Sequence, residues 1–379
     1  MNSPSSGLTT FEIIKVFAVL LADGLLSLPL MLWSLTGVGK SAVVRQTVEQ
    51  ISDPGKVWTP KHGRQPTGAL EVINDWGLVD LRTALMEPTD LRGLPDLKEE
   101  VVRWVVPDEL PVVGQEDRFP EHGVLFADEI THAPPAMQSA CFSLVLDRRC
   151  GPHVLLPGWN IVAASNYGHE NGQTFPMSDP LRTRFQHFHL RCSLDAFKQW
   201  ALQHGIDPRI IAFLNWIPEY LHKPSEIAEE SFPTPRTWAC ASQALSLFAD
   251  DAVENVVAAS VGAGTATVFG GFLALSRSAE LNIDIGKLLR GKGRPPKLTT
   301  EKPDLAWAFT GQISAYVREN PESLSAAIGF FCSDAWKDAR EIGRTGLADL
   351  RRLAEPKEFG LAFAPHAQSC LKAFGRLLE

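Results

Sequence analysis

The stretch LWSLTGVGKSAVV, residues 32–44, is the most specific structural signal in the sequence. It matches the phosphate-binding pattern G-x-x-x-x-G-K-[ST] at every defined position except the first, because Ser34 stands where a glycine is expected. An apolar run precedes the stretch and an amphipathic segment follows it, which is the strand–loop–helix order in which such loops occur. The stretch therefore predicts a loop that holds a phosphate group between a buried strand and a helix.

Each residue type in this loop has a chemical reason. Gly37 and Gly39 permit tight turns free of side chains, so that successive backbone N–H groups converge on a phosphate. Lys40 has the reach to bind the β- and γ-phosphate oxygens, and the Ser41 hydroxyl can hold Mg²⁺ at a helix N-terminus. Ser34 falls at the end of the strand, before the turn, where a small residue fits. The residues predicted to bind the nucleotide are Gly37, Val38, Gly39, Lys40, Ser41 and Ala42.

A pair of acids follows the loop at a distance of about 90 residues along the chain. The run GVLFADEITHAPP, residues 123–135, places Asp128 and Glu129 at the carboxyl end of an apolar strand. Asp128 is in position to hold Mg²⁺, and Glu129 to orient and deprotonate an attacking water. Taken alone, the pair could equally be a surface feature at a strand end. Together with the glycine–lysine–serine loop, it predicts the metal side of a nucleotide site.

Further polar residues follow in an order that fits such a site. Asn166 ends the apolar strand WNIVAASN, where its amide can position water beside the acids. Arg182 and Arg184 in DPLRTRF precede another strand, and arginine binds phosphate oxygens in a fork geometry. Arg236 stands in the first turn of a helix begun by PTPRTW, where the helix dipole disfavours a cation unless another group requires it. Each of these residues, taken alone, could be an ordinary turn or surface residue. Their order along the chain favours a nucleotide hydrolase.

Short apolar strands alternate with helical patterns over the first half of the chain. Strands are predicted at 76–82, 123–128, 159–165 and 185–190, in addition to the run before the loop. Such alternation predicts an α/β fold with a five-stranded, mostly parallel sheet that is covered on both faces by helices. After residue 192 only amphipathic helical patterns follow, punctuated by proline and glycine.

These patterns predict three domains in the 379 residues. Residues 1–191 are predicted to form the nucleotide-binding αβα domain, residues 192–277 an all-α lid, and residues 278–379 a C-terminal helical extension. A basic segment, GKLLRGKGRPPKLTTEKP, opens the last of these and is typical of a solvated loop. A specific role for it in binding an anion or a partner is the less favoured alternative.

The bulk composition limits the possible functions. Apolar residues make up 45% and charged residues 21% of the chain, as in soluble globular proteins. Lys and Arg number 36 against 44 Asp and Glu, so the net charge is 36 − 44 = −8, and nucleic acid is disfavoured as the main partner. The apolar run at 17–33 is broken by Asp23, Gly24, Ser27 and Pro29, so no membrane span is expected. No export signal is recognised, and the cytoplasm is the expected location.

The cysteines and histidines suggest no second site. Six cysteines are scattered without a C-x-x-C pair, which predicts reduced, buried thiols. In QHFHLRC, strand alternation places His187 and His189 on one face, which invites a zinc interpretation. Cys192 lies beyond the strand and a fourth ligand at suitable spacing is absent, so zinc is the less favoured interpretation. The cysteines are Cys141, Cys150, Cys192, Cys240, Cys332 and Cys370.

With these motifs in place, the sequence resembles the AAA+ ATPases, and specifically their MoxR-type branch. The resemblance spans roughly residues 10–250 and rests on six runs. The loop and the acid pair are generic to many ATPases, whereas PTDLRGLP together with DEI-x-x-APP is more specific to this branch. The runs are GVGKS (37–41), MEPTDLRGLP (86–95), LFADEITHAPP (125–135), AASN (163–166), PLRTRF (180–185) and PTPRTW (233–238).

The resemblance implies a role for each matching residue. It implies ATP and Mg²⁺ as ligands, a ring-shaped homo-oligomer that is usually a hexamer, and chaperone-like remodelling or maturation of a partner. That partner often carries a von Willebrand factor A domain. The implied roles are Walker A for Lys40 and Ser41, Walker B for Asp128 and Glu129, sensor 1 for Asn166, the arginine finger for Arg184 with Arg182 as the fallback, and sensor 2 for Arg236.

Some features depart from the family or leave alternatives open. SLTG replaces the usual GPPG, which could lower nucleotide affinity or turnover, and the region after about residue 255 matches nothing in the family. Two rival functions therefore remain: a nucleotide-binding scaffold or switch with little hydrolysis, and a nucleic-acid-linked motor of restriction type. The loop with Asp90 and Arg92 could face a ring pore, although an ordered loop with a local salt bridge is favoured. Nothing in the sequence distinguishes ATP from GTP.

Overall fold

The protein is described by a computed structural model, in which each of two compact units is described by itself. The first unit comprises Met1–Cys192 and the second Ser193–Glu379. The described residues are 7–22, 28–60, 70–97, 102–167, 174–225, 231–247 and 253–375.

A six-stranded sheet forms the centre of the first unit. Its strand order is β10-β1-β9-β6-β3-β2, and every neighbouring pair is parallel except β2 with β3. The structure thus contains the predicted parallel strands and adds β2, an antiparallel edge strand that the sequence patterns did not indicate. The strands are β1 (Leu30–Ser34), β2 (Leu70–Ile73), β3 (Trp76–Arg82), β6 (His122–Asp128), β9 (Trp159–Asn166) and β10 (Gln186–His189).

Helices cover both faces of this sheet because the strand residues alternate between two apolar cores. On β1, Leu30 and Leu32 point into the core shared with the first two helices, whereas Met31 points into the core of the opposite face. On β6, Phe126 points into the core shared with the first two helices, and Leu125 points into the core of the opposite face. The helices of this unit are α1 (Thr10–Ala22), α2 (Lys40–Ile51), α3 (Pro88–Arg92), α4 (Pro135–Asp147) and α5 (Asp179–Arg182).

Two small antiparallel hairpins project from the chain between β3 and β9. One pairs β4 (Leu94–Asp96) with β5 (Arg103–Val105), and the other pairs β7 (Arg149–Cys150) with β8 (His153–Val154). Their strands are two or three residues long, which is too short to leave a period-2 pattern in the sequence. The fold class predicted from the sequence, a P-loop αβα sandwich followed by an all-helical region, is confirmed.

The second unit is helical throughout its described residues. Helix α12 packs on α7 and on α14, and α14 also packs on α6, so residues beyond 277 contact those before it. The subdivision into a lid at 192–277 and an extension at 278–379 stays a prediction. The helices are α6 (Leu194–Gln203), α7 (Pro208–Trp216), α8 (Pro235–Leu247), α9 (Val253–Val261), α10 (Ala263–Ser276), α11 (Ile285–Leu289), α12 (Pro303–Glu319), α13 (Leu324–Phe331), α14 (Arg340–Leu353), α15 (Pro356–Phe363) and α16 (Ala367–Phe374).

A buried ion pair joins three of these helices. Lys198 Nζ in α6 lies 2.7 Å from Asp349 Oδ1 in α14, and the two side chains are only 3% and 6% exposed. Asn215 in α7 donates to Asp349 Oδ2 at 2.8 Å. Burial lowers the pKa of Lys198, and the neighbouring Asp349 opposes that change. The carboxylate therefore holds α6, α7 and α14 together through hydrogen bonds on both of its oxygens.

The cysteines depart in two respects from the prediction of reduced, buried thiols: two of them form a disulfide, and Cys240 is exposed. Cys332, just after α13, and Cys370 in α16 form a disulfide with their Cα atoms 4.7 Å apart, so the expectation of reduced thiols is wrong for this pair. The two residues are 38 positions apart, and only the packing of α13 against α16 brings them together. The other four cysteines are free thiols. Burial raises the pKa of Cys141, Cys150 and Cys192 to about 12.

Over the described ranges, the search for a helix of sufficient length and apolarity to cross a membrane finds none.

Candidate functional site

The predicted phosphate-binding loop lies between β1 and α2. Gly37 and Gly39 have φ of 75° and 104°, a left-handed backbone that favours glycine, and α2 begins at the next residue, Lys40. A Cβ on Gly39 would meet only the side chain of Ala42 at 3.9 Å, so it is the backbone angle that requires glycine there. The first N–H groups of α2 lack helical partners and face the loop, which makes this helix start suitable for an anion.

Ser34 occupies the place of the first glycine of the usual pattern without a left-handed backbone. It is fully buried as the last residue of β1, and it is not among the residues with positive φ. Its hydroxyl donates to the Leu35 carbonyl at 2.7 Å and accepts from Lys40 Nζ at 3.2 Å. The serine thus contacts the lysine that the sequence assigns to the phosphates, a contact that sequence reasoning did not foresee.

Asn166 meets the same lysine from the neighbouring strand. Because β1 and β9 are parallel and in register, Ser34 and Asn166 are direct partners at the ends of their strands. Lys40 Nζ donates a short hydrogen bond to Asn166 Oδ1. The structure therefore brings Ser34, Lys40 and Asn166 together at the carboxyl ends of two parallel strands. Ser34 and Asn166 are 166 − 34 = 132 positions apart in the sequence.

The metal side of the site is formed by Ser41 and Asp128. The Ser41 hydroxyl donates to Asp128 Oδ2 at 3.0 Å, and the Glu129 backbone N–H donates to Asp128 Oδ1 at 2.9 Å. The Thr83 hydroxyl holds the backbone carbonyl of Asp128 at 2.8 Å, which fixes the end of β6 against the end of β3. The predicted Walker A serine and Walker B aspartate are therefore in direct contact.

Glu129 has a backbone conformation that is unusual for its residue type. Its φ is 56°, in the left-handed region, and its side chain is exposed. Left-handed backbone costs a residue with a Cβ about 1 kcal/mol or more, and such strain is concentrated at functional sites. The turn is maintained by the bond from its N–H to Asp128 and by a bond from His132 N–H to its carbonyl at 2.8 Å.

Asp80 is a third acid in this region that sequence reasoning missed. It lies in β3, beside β6, and its Oδ1 is buried without a hydrogen-bond partner among the residues that the structure describes. Burial, and next the charges of Asp128 and Glu129, raise the pKa of Asp80, whereas Arg82 at 3.8 Å opposes the rise. An acid near the carboxyl end of a strand that neighbours the Walker B strand was a signal available in WGLVDLR.

These oxygens fit a divalent cation. Mg²⁺ prefers carboxylate and hydroxyl oxygens, usually one or two carboxylates together with phosphate oxygens and water. The bonded pair Ser41 and Asp128 supplies such ligands, and the orphaned oxygen of Asp80 adds negative charge that a cation would compensate. Beside Ser41 an open cleft of ≈ 370 Å³ is lined by Ser41, Ala42, Arg45, Leu70, Glu71, Leu78, Asp80 and Phe126.

The arginines of DPLRTRF lie in the short segment from α5 to β10. Arg182 is exposed and donates to Asp179 at 2.6 Å. Arg184 is partly exposed, donates to the Thr183 hydroxyl at 3.1 Å and stacks over the Phe142 ring at 5.9 Å. No contact of either guanidinium with Lys40, Ser41 or Asp128 is found among the described residues, so their predicted role at a neighbour's site stays a prediction.

Arg236 belongs to the helical unit. It is exposed in the first turn of α8, where Thr234 and Thr237 cap the helix through reciprocal bonds from Thr234 N–H at 2.7 Å and Thr237 N–H at 3.1 Å. The cap explains how α8 begins and leaves the exposed cation without a structural reason. Its predicted contact with a γ-phosphate, as sensor 2, stays a prediction.

The two histidines once considered for zinc have other partners. His187 bonds to Trp33 and to a backbone carbonyl, and His189 bonds to the Tyr167 hydroxyl at 3.1 Å. Across the described ranges no group of three or more His, Cys, Asp or Glu residues has the geometry to hold a metal ion.

No protein-family model matches the chain, and no curated protein matches it. Among solved structures, the chain is similar to NtrX from Brucella abortus, with 15% identity, 92% of this chain and 69% of that chain covered, and a TM-score of 0.32. It is also similar to a RuvB variant from Thermotoga maritima, with 13% identity, coverage of 84% and 91%, and a TM-score of 0.36. A third is a protein of Cytophaga hutchinsonii assigned as an ATPase, with 16% identity, coverage of 49% and 51%, and a TM-score of 0.29.

The chain thus spans about half the length of the Cytophaga protein. At these identities and TM-scores the similarities carry no argument about activity. The class of protein is defined by the strand order and the loop geometry described above: a P-loop α/β protein with a helical second unit.

Proposed function

We propose that this protein is a Mg²⁺-dependent ATPase of the AAA+ class, of the MoxR-type branch, that couples hydrolysis to remodelling or maturation of a partner protein. One observation carries the hydrolase part of the proposal. At a single edge of the sheet, Lys40 meets Asn166 while the adjacent Ser41 meets Asp128. A chance glycine–lysine–serine turn has no reason to bring these two pairs together.

Each residue at this edge has a distinct task toward the triphosphate. Lys40 and the N–H groups at the start of α2 bind the β- and γ-phosphate oxygens. Ser41 and Asp128 hold the cation, and bound Mg²⁺ supplies positive charge to the phosphate oxygens. Asn166, which is already bonded to Lys40, keeps the lysine directed toward the end of β1 and presents its amide N–H₂ to the γ-phosphate or to water.

Glu129 is the proposed general base. Water attacks the γ-phosphorus, the bond from that phosphorus to the bridging oxygen of ADP breaks, and the Glu129 carboxylate accepts the proton that the water loses. The strained backbone at Glu129 is consistent with a residue held in place for function rather than for stability. Arg184 of a neighbouring copy is proposed to neutralise charge on the transferred phosphoryl group, with Arg182 as the alternative, and Arg236 to read the γ-phosphate from the helical unit.

The ring and the partner are supported by the sequence resemblance. A hexameric ring places each nucleotide at a boundary between two copies. Arg184 of one copy can then reach the nucleotide bound by the next copy. The proposed partner carries a von Willebrand factor A domain. The cytoplasm is proposed as the location, and nucleic acid is disfavoured by the net charge of −8.

The proposal is tested by Glu129→Gln in the full chain. This change removes the base and retains the size and polarity of the side chain. We expect kcat to fall by about a hundredfold or more, because general bases contribute 10²–10⁴-fold. The affinity for ATP, measured by calorimetry with Mg²⁺, is expected to stay within about threefold of that of the unchanged protein, since Glu129 acts on water.

Glu121→Gln is the matched control, because Glu121 is an exposed acid just before the opposite end of β6. Its kcat is expected to equal that of the unchanged protein. If the unchanged protein binds ATP but its rate is no greater than that of Glu129→Gln, the protein is a nucleotide-binding scaffold or switch, and the hydrolase proposal is wrong. Hydrolysis that requires DNA and falls steeply with salt would instead identify a nucleic-acid motor.

A further inference from the structure

His187 joins two parts of the first unit that the proposed mechanism treats separately. The Trp33 indole N–H donates to His187 Nδ1 at 2.8 Å, and His187 Nε2 lies 2.7 Å from the Arg182 carbonyl oxygen. An indole nitrogen can only donate, and a carbonyl oxygen can only accept. Nδ1 is therefore the acceptor and Nε2 carries the proton, so that one neutral imidazole satisfies both partners.

Each partner of His187 is attached to a proposed site residue. Trp33 is followed directly by Ser34, whose hydroxyl accepts from Lys40. Arg182 ends α5 and begins the arginine turn, residues 182–184, which carries both candidate fingers. The path from Lys40 to the arginine turn thus passes through two consecutive residues of β1 and a single imidazole.

Stacked rings extend the link to Asn166. The Trp33 ring stacks on His187, with centroids 6.1 Å apart, and on Tyr167, with centroids 6.4 Å apart. Tyr167 follows Asn166 directly, its N–H donates to the Ser34 carbonyl at 3.3 Å, and it stacks on His189 at 5.9 Å. Trp33 therefore contacts both His187 in β10 and Tyr167, the residue that follows the proposed sensor.

Backbone hydrogen bonds hold the arginine turn where it leaves the four-residue helix α5. The Thr183 N–H donates to the Asp179 carbonyl at 3.0 Å, and the Arg184 N–H donates to the Leu181 carbonyl at 3.1 Å. The Arg182 carbonyl accepts weakly from Phe185 N–H at 3.4 Å and closely from His187 at 2.7 Å. His187 thus supplies the shorter of the two bonds to the Arg182 carbonyl, and that bond links the turn to β10.

We propose that His187 is a positioning residue that couples the strand leading to the phosphate-binding loop with the arginine turn. A change at Lys40, Ser34 or Asn166 on binding or release of nucleotide moves Trp33 and Tyr167, and His187 transmits it to the Arg182 carbonyl. Each copy in a ring thereby adjusts the arginine it presents to its neighbour according to its own nucleotide. The inference rests on the proposed function, since it concerns residues assigned to ATP hydrolysis.

The test uses His187→Phe, which keeps a ring to stack on Trp33 and removes both hydrogen bonds. We expect kcat for ATP to fall about tenfold, because the bonds of His187 to Trp33 and to the Arg182 carbonyl are lost, while the calorimetric Kd for ATP stays within about twofold. Trp33→Phe keeps an aromatic ring beside His187 and removes the indole donor, so a fall of about threefold is expected. In His187→Gln, the amide can still donate to the Arg182 carbonyl, and kcat is expected to recover at least partly.

A double-mutant cycle separates positioning from general damage. In a chain that also carries Arg182→Ala and Arg184→Ala, His187→Phe is expected to change the residual single-turnover rate by less than about twofold, because it acts only through the turn. His204→Phe is the matched control, since His204 also stacks on a tryptophan, Trp200, at 4.7 Å and bonds to its backbone carbonyl at 2.8 Å, but in the helical unit.

The outcomes distinguish the two proposals. If the unchanged protein hydrolyses ATP and His187→Phe has a normal kcat, the coupling is refuted and the ATPase assignment stands. A fall in kcat that persists in full in the arginine-free chain, or a fall equally large in His204→Phe, also refutes it. If the unchanged protein hydrolyses no ATP, the proposed function itself fails.

Discussion

Carboxylates are buried or half-buried in both units, but their surroundings differ. In the helical unit, Asp349 is 5% exposed and both of its oxygens are bonded: Lys198 and Arg352 donate to Oδ1 at 2.7 Å and 3.1 Å, and Asn215 donates to Oδ2 at 2.8 Å. In the sheet unit, Asp80 has an orphaned oxygen, and Asp128 is bonded by a neutral hydroxyl and a backbone N–H.

A carboxylate paired closely with cationic side chains, such as Asp349, has a structural role. The carboxylates of Asp80 and Asp128 have no such close pairing among the described residues and can compensate the charge of a bound cation. Lysine and arginine neutralise the charge of a paired carboxylate. Replacing the lysine leaves a buried negative charge that is only partly compensated. Three acids gather at the end of two strands, where burial first, and then repulsion from Asp128 and Glu129, raise the pKa of Asp80. The fold tolerates that repulsion at the edge where the proposed Mg²⁺ and triphosphate bind.

The largest effect is expected from breaking the matched pair. Lys198→Met leaves Asp349 buried with Arg352 as its remaining cation, so we expect a loss of about 3 kcal/mol in the free energy of unfolding. Urea unfolding followed by far-UV circular dichroism and tryptophan fluorescence measures it. Lys302→Met is the control, because its pair with Glu280 at 3.1 Å is more than half exposed and is worth about 0–1 kcal/mol. Equal losses for the two variants would contradict the contrast.

A smaller effect is expected from the backbone of Glu129. Glu129→Gly removes the Cβ at a φ of 56°, so this variant should be more stable than Glu129→Ala by about 1 kcal/mol. Both variants should lack ATPase activity. Thermal unfolding of the two variants side by side gives the difference. A Glu129→Ala variant at least as stable as the glycine variant would show that the left-handed backbone is not strained.

The smallest effect is expected at Asp80. Its raised pKa means that the ionised carboxylate destabilises the fold at pH values above that folded pKa, and that this penalty disappears once pH falls below the unfolded pKa of about 3.9. Asp80→Asn should therefore raise Tm at pH 7.5 by only about 1–2 °C, because the side chain is 40% exposed and solvent screens it. The gain should shrink as the pH is lowered through the folded pKa toward the unfolded pKa. A gain that grows on acidification would contradict the cause given for the shift.

The sequence predicted the elements with strong local patterns. Lys40, Ser41, Asp128 and Asn166 lie where parallel strands end, so their convergence follows from the α/β pattern and the loop alone. Apolar strands such as Trp76–Arg82 and Trp159–Asn166 lie within a residue of their predicted bounds, because burial on both faces gives near-continuous apolar runs.

Other features depend on contacts that no local pattern encodes. The antiparallel edge strand Leu70–Ile73 is four residues long and half-buried, so it lacks a clear period. The bond from Lys40 to Ser34 and the bond from Trp33 to His187 each join residues on different elements. The burial of the Asp80 oxygen depends on how the strands and helices pack around it. The Cys332–Cys370 pair likewise depends on how two helices pack.

The proposed site binds Mg²⁺ and ATP between Lys40, at the start of α2, and Asp128, at the end of β6. Calorimetric titration of ATP into the full chain, with Mg²⁺ and with EDTA, tests it most directly when the unchanged protein is compared with Lys40→Ala. We predict saturable binding that weakens at least about tenfold in EDTA and again at least about tenfold in Lys40→Ala, given the charge-assisted hydrogen bonds that each change removes. Binding of equal strength in all three titrations, or none by the unchanged protein, would contradict the account.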